Sequence, residues 1–209
     1  QRGLRERTVI VFSSDHGEAF GEHGGEGHAR NVYGEVTQTP WIVSLPFRLE
    51  PGIVVESRSE NVDLWPTVLE LLGLPPLPDV DGESLVPQVL AAAGGEAEPD
   101  ADGVAFAEID QVWGKTREKP RPMVAVNQGR WRLIHRARMP ERSELYDKWD
   151  DPLEQRDLAA EHPEVSADLD ARASAYLESP PPPWGEGTTT IEIDEVQMNQ
   201  LRALGYGVQ

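Results

Sequence analysis

The chain has 209 residues, enough for one ordinary domain or two small ones with a core of their own. Its 19 Lys and Arg stand against 37 Asp and Glu, a formal net charge of −18, and a surface of that sign argues against a nucleic-acid partner. There is no cysteine, so disulfides, thiolate metal sites and a Cys nucleophile are excluded within these residues, and no apolar run approaches the roughly 20 residues of a membrane span.

The chain opens at Gln1 on a basic stub and runs almost directly into Thr8-Val9-Ile10-Val11-Phe12. It reads as the C-terminal part of a longer protein. The apolar run suggests a strand buried on both faces, hence a parallel neighbour. It stops at Ser13-Ser14-Asp15-His16-Gly17, beyond the carboxyl end of the strand, where open α/β sheets bind their ligands. Residues 17–30 are glycine-rich without a hydrophobic period and predict a loop, the kind that carries function. A short helix through Tyr33 and Glu35 and a second buried strand over Pro40 to Pro46 follow. Asp63 as N-cap, Pro66 in the first turn and Gly73 after the end mark a helix over Asn61 to Gly73. Pro75 to Pro87 predicts loop, and Ala91 to Gly103 has the composition of a linker.

Beyond it the pattern changes to short strands over Val104 to Ile109, Met123 to Asn127, Trp131 to His135 and Glu144 to Tyr146. Asn127-Gln128-Gly129-Arg130 predicts a hairpin turn. A helix is expected over Pro163 to Glu178, then a proline-rich connector over Ser179 to Gly187 and a last helix opened by the capping-box spacing of Asp194 to Gln197. The organisation expected is an α/β core over residues 1–100 and a small α+β subdomain with antiparallel strands over 101–209.

Asp15-His16 places a carboxylate and an imidazole side by side at a strand end, where both can reach one divalent cation. The same dipeptide before Gly17 also suits a tight turn capped by the aspartate. Three of the five histidines, His16, His23 and His28, cluster around the glycine-rich loop, which is unlike core packing. His23 in Glu-His-Gly reads equally as a solvated turn, whereas His28 stands where the loop ends.

The stretch from Thr8 to Glu18, with Phe20-Gly21-Glu22-His23-Gly24, Gly27-His28, Tyr33-Gly34-Glu35 and Thr39-Pro40-Trp41-Ile42-Val43, resembles the C-terminal half of a sulfatase of the alkaline-phosphatase superfamily. So do Asn61 to Leu69 with Asp81-Gly82-Glu83-Ser84-Leu85, Trp131 to Ile134, Glu144 to Asp147, Asp151-Pro152 with Glu154, and Leu201 to Tyr206. The resemblance implies the end of a parallel α/β sulfatase core followed by the antiparallel subdomain, and metal-dependent hydrolysis of a sulfate ester. It assigns Asp15 and His16 to a divalent cation together with two acidic residues upstream, calcium being usual and manganese, magnesium or zinc remaining open to a His ligand. It gives His28 the role of contacting the sulfate ester and assisting the leaving oxygen. No role is carried onto His23, Glu18 or Arg30.

The sulfatase nucleophile, a formylglycine made in a Cys/Ser-x-Pro-x-Arg motif, is expected upstream of Gln1, so residues 1–209 alone should show no sulfatase turnover. Ser44-Leu45-Pro46-Phe47-Arg48 fits that string, but it follows the Asp-His-Gly segment instead of preceding it and reads as an ordinary strand end. The same superfamily offers phosphodiester and phosphonate hydrolases and phosphoglycerol transferases, separated by the nucleophile. A third reading is a non-catalytic acidic domain in which Asp15-His16 is a turn. Arg117, Lys119, Arg121, Arg130, Arg132, Arg136, Arg138 and Arg142 could line a basic pocket or simply balance nearby acids. The resemblance suggests a periplasmic or extracellular location.

Overall fold

The computed structural model describes residues 3–28, 30–46, 52–96, 103–110, 119–179, 195–196 and 198–199. The chain divides into two units, Gln1–Glu178 and Ser179–Gln209. The proline-rich connector, most of the last expected helix, Arg117, and Phe47 and Arg48 of the Ser-x-Pro string lie outside the described residues.

The first unit is built around an antiparallel four-stranded meander: β5 (Val104–Asp110), β6 (Pro122–Gln128), β7 (Trp131–Arg136) and β8 (Glu144–Asp147), paired in chain order. The β6–β7 turn is two residues, with Gln128 opposite Trp131 and Gly129 at φ 53°, a left-handed conformation that glycine adopts freely. Alternation along β6 explains why four consecutive residues are buried. Val124 and Val126 pack with Leu133 and Leu145 against Leu169 and Ala173 of helix α4 (Pro163–Glu178). Met123 and Ala125 point the other way and pack with Ile134 and Tyr146 against Val32 and Tyr33. One face of the sheet thus carries a helix, and the other holds the segment just after the glycine-rich loop.

The remaining elements are β1 (Ile10–Ser13), the two-residue strands β2 (Ala19–Phe20) and β3 (Glu26–Gly27), helix α1 (Gly34–Thr37), β4 (Trp41–Ser44), α2 (Leu64–Leu71) and α3 (Val86–Gly94). The α/β class with an antiparallel subdomain stands, but the parallel pairing expected of the first two strands is corrected. β1 and β4 are antiparallel, with Ile10 opposite Ser44 and Ser13 opposite Trp41. A parallel pair needs a crossover that covers a sheet face, and the segment between these strands supplies only the four-residue α1. Neither are the strands buried on both faces: Ile10, Phe12 and Ile42 are exposed. The glycine-rich segment is not wholly loop, because Ala19 pairs with Gly27 and Phe20 with Glu26. Part of the expected linker is helix α3, in which Pro87 occupies the first turn, a position where its missing N–H costs nothing.

Helix α2 is preceded by a 3-10 turn, Asn61–Asp63, capped by Glu60; Asp63 is the N-cap residue of α2, as the sequence suggested, but its side chain makes no cap bond to that helix. Asp63 instead accepts the Glu60 and Glu83 N–H groups, at 2.8 and 2.9 Å, so it binds the Asp81-to-Leu85 turn to the helix. Leu85 N–H donates to Thr67 Oγ1 at 3.0 Å in the same contact. A Cβ on Gly82 would stand 2.2 Å from the Val62 carbonyl oxygen, so only glycine lets the two backbones meet.

Arg132 on β7 and Glu154 beyond β8 are each 2 % exposed, with Nε and Oε1 2.9 Å apart. The remaining guanidinium nitrogens donate to the Val32 carbonyl, Thr37 Oγ1 and Asn127 Oδ1, while Glu154 Oε2 accepts Gly34 N–H at 3.0 Å. Arg132→Met should lower the unfolding free energy by about 3–5 kcal/mol in urea titration, because it strands a buried carboxylate. The Arg132→Met/Glu154→Gln pair should recover part of that loss.

Candidate functional site

β1 delivers Ser13 and Ser14 to the end of its sheet, and the chain then turns sharply at Asp15-His16-Gly17. Two contacts hold the turn. Gly17 N–H donates to the Val36 carbonyl of α1 at 2.7 Å, and a Cβ on Gly17 would lie 2.1 Å from the Glu35 carbonyl oxygen. Asn61 Nδ2 donates to the carbonyls of Ser14 and Asp15 at 3.2 and 3.1 Å, tying the turn to the start of the α2 segment.

His16 Nδ1 lies 2.8 Å from the Gly17 carbonyl oxygen, so that nitrogen is the donor, which in the neutral ring leaves the lone pair on Nε2. Nε2 faces Asp15 Oδ2 at 3.7 Å. A backbone carbonyl fixing one imidazole nitrogen while the other faces outward is how metal-bound histidines are oriented. Two lone-pair donors at this separation, both solvent-accessible, fit two positions around a divalent cation.

His28 comes back beside them. Its ring stacks on that of His16, with centroids 4.1 Å apart and planes 20° apart. Its Nδ1 lies 2.9 Å from Glu18 Oε2, a carboxylate that fixes the ring, and Nε2 has no hydrogen bond among the described residues. The β2–β3 hairpin brings Glu18 to His28, since Ala19 opposite Gly27 puts the preceding and following residues across from each other. Asp15, His16 and His28 therefore share one wall of a cleft of about 1170 Å³. Glu18 and Asn61 escaped the sequence reading. An alternation test for a two-residue hairpin would have flagged Glu18; Asn61 carries no local signal.

His23 turns out to be structural and charged. Nδ1 bonds Glu35 Oε1 and Nε2 bonds the Glu154 carbonyl, both at 2.9 Å, and the ring stacks on Tyr33 at 3.9 Å. Both partners are acceptors, so both ring nitrogens must donate, which requires the imidazolium. Burial pushes its pKa down, but the hydrogen bonds to Glu154 and Glu35 and the charges of both residues outweigh this and raise it. His23, Glu35 and Glu154 lie close enough to surround an ion. Their donor atoms are already committed to one another, to Arg132 and to Gly34, so the cluster is a hydrogen-bonded anchor. Tyr33, its phenol buried and bonded to Glu144 at 2.7 Å, has its pKa pushed up to about 12 and stays neutral.

The basic residues of the subdomain are largely balanced by acids. Arg130 pairs with Asp147 and Asp150, Arg132 with Glu154, and Arg136 with Glu144. Of the arginines in these pairs, only Arg132 lies on the cleft wall, and it is neutralised there.

The N-sulphoglucosamine sulphohydrolase C-terminal family matches residues 21–177. The chain is 26 % identical to arylsulfatase K of Bos taurus over 187 residues, covering 86 % of this chain and 33 % of that protein. It is 31 % identical to choline-sulfatase of Rhizobium meliloti (strain 1021) over 159 residues, 75 % of this chain and 28 % of that one. A structure solved with its substrate D-glucosamine-2-N,6-O-disulfate superposes with a TM-score of 0.66 at 25 % identity, covering 84 % of this chain and 35 % of that chain. The phosphonate monoester hydrolase of Agrobacterium radiobacter gives 0.62 at 28 % identity, over 83 % and 35 %. The chain spans about a third of the length of these relatives.

Because the folded pKa of His23 is raised, the contribution of its imidazolium is complete below the ordinary value of 6.5 and is lost as pH climbs through the folded value. Amide hydrogen exchange of residues 18–28, corrected for intrinsic rates, should quicken across that window in the wild type. In His23→Gln it should be fast throughout and lack this transition.

Proposed function

Since the chain belongs to the N-sulphoglucosamine sulphohydrolase C-terminal family of sulfatases, we propose that it forms part of the active site of a metal-dependent sulfatase. The observation that carries this reading is the convergence of Asp15, His16 and His28 on one cleft, with the lone pair of His16 Nε2 turned toward the Asp15 carboxylate. Asp15 and His16 would hold a divalent cation; calcium is the first expectation and manganese, magnesium or zinc the alternatives. Held there, such a cation would supply Lewis-acid polarisation of the sulfate ester.

His28 supplies the proton chemistry. Glu18 orients its ring, and Nε2 can stabilise the charge that develops on the ester or give a proton to the departing alcohol oxygen. The attack on sulfur is assigned to a formylglycine outside these residues. His23, Glu154 and Arg132 act at a distance by holding the loop in place. Hydrolysis of a phosphonate or phosphodiester is a second reading, favoured by the likeness to the phosphonate monoester hydrolase.

In the whole protein, Asp15→Ala should abolish the calorimetric heat of divalent-ion binding and lower turnover of 4-nitrophenyl sulfate at least about 100-fold. Metal binding unchanged in that variant would assign the heat to scattered surface carboxylates and sink the proposal. His28→Gln should keep metal binding and lower kcat by about 10²–10⁴. Faster turnover of phenyl phosphonate esters than of aryl sulfates would favour the second reading.

A further inference from the structure

Lys148 follows β8 and lies on the wall of the cleft that holds Asp15, His16 and His28. Acids outnumber bases almost two to one in this chain, and its neighbouring cations have carboxylate partners. Arg130, Arg132 and Arg136 are paired as described, and Arg58 on the same cleft pairs with Glu60 and Glu83. Lys148 is different: its backbone N–H donates to the Arg130 carbonyl at 2.8 Å, but its ammonium has no hydrogen bond or ion pair among the described residues.

The side chain is also half-buried. Removal from water and the nearby Arg132 guanidinium hold its pKa below the ordinary lysine value, against the opposing charge of Glu154. An ammonium that has lost part of its hydration without gaining a carboxylate leaves room for an anion from outside.

The next residue supplies a flat surface. Trp149 is 71 % exposed, lies on the same cleft and is braced by the Arg130 guanidinium 5.3 Å from its ring centre. Asp147 Oδ1 accepts the N–H groups of Trp149 and Asp150 at 3.1 and 3.4 Å, which fixes the turn carrying both side chains. A large exposed indole with a guanidinium beside it suits stacking against a ring.

We infer that Lys148 and Trp149 form a subsite for a second anionic group, sulfate or carboxylate, borne on the ring of the substrate whose ester is presented to Asp15, His16 and His28. The ring lies on the Trp149 indole and the anionic substituent meets the Lys148 ammonium. This deepens the sulfate-ester reading and rests on it for the position of the reacting group.

The test is calorimetric binding of two unreactive probes to the whole protein, benzenesulfonate and 3-sulfobenzoate, which differ by one carboxylate. The wild type should bind the dianion about tenfold more tightly, as expected for a charge-assisted hydrogen bond partly screened by water. Lys148→Met should erase the preference and leave benzenesulfonate binding within about twofold. Lys148→Arg should keep the preference, and Trp149→Ala should weaken both probes. No preference in the wild type, or one that survives in both Lys148→Met and Lys148→Gln, overturns the inference. Turnover of 4-nitrophenyl sulfate by the same wild-type sample tests the parent reading separately: a Lys148-dependent preference without turnover would remove the sulfatase assignment and keep the anion subsite.

Discussion

The arrangement of the site depends on one buried ion pair. Arg132 and Glu154 give up hydration almost completely, a cost offset by their ion pair and by the hydrogen bonds of their other polar atoms, although Nε and Oε1 meet without hydrogen-bond geometry. The satisfying partners are not side chains of the meander alone. They include the Val32 carbonyl, Thr37 and Gly34 N–H, all from the segment that follows the glycine-rich loop. The pair therefore converts a sheet interior into a mould for a distant loop. Glu154 itself sits at φ 54°, a left-handed conformation that costs a non-glycine residue about 1 kcal/mol or more and persists because the surrounding bonds over-determine it.

His23 extends the same device outward. Its two donors reach Glu35 on α1 and the Glu154 carbonyl, so the loop is pinned at its middle as well as at its end. What remains open is the rim, where Asp15, His16, Glu18 and His28 are accessible to solvent. The division makes physical sense: the residues proposed to meet ion and substrate keep their hydration, while Arg132 and Glu154 behind them are dry.

Much of the fold was legible because periodicity is a local property. The strands at Val104, Met123, Trp131 and Glu144 and the helix from Pro163 follow from alternation, a hairpin turn and 3.6-residue spacing. The direction of β1 against β4 was not legible, since an apolar run signals burial and says nothing of its partner's polarity. Pro87 misled for a related reason: proline breaks a helix interior but fits its first turn. In the site, Asp15, His16 and His28 were visible as chemistry-bearing residues around a glycine-rich strand end. The role of His23 was not, because its anchor lies 131 positions away. Lys148 was equally hidden, as what singles it out is the pairing of its neighbours.

That separation has a temporal side. A chain made at about 5–20 residues per second exposes His23 some 7–26 s before Glu154 leaves the ribosome. Through that interval the loop has its local partners, Glu35 and the Val36 carbonyl, but not the Glu154 carbonyl that His23 Nε2 meets, and the entropy of bringing such distant partners together must be met by packing of the meander. The glycine-rich segment thus completes its hydrogen bonds only once the chain beyond β8 is in place. A nascent chain stalled or truncated before β8 would carry every histidine of the loop and its local bonds, but not the anchor that ties the loop to the sheet.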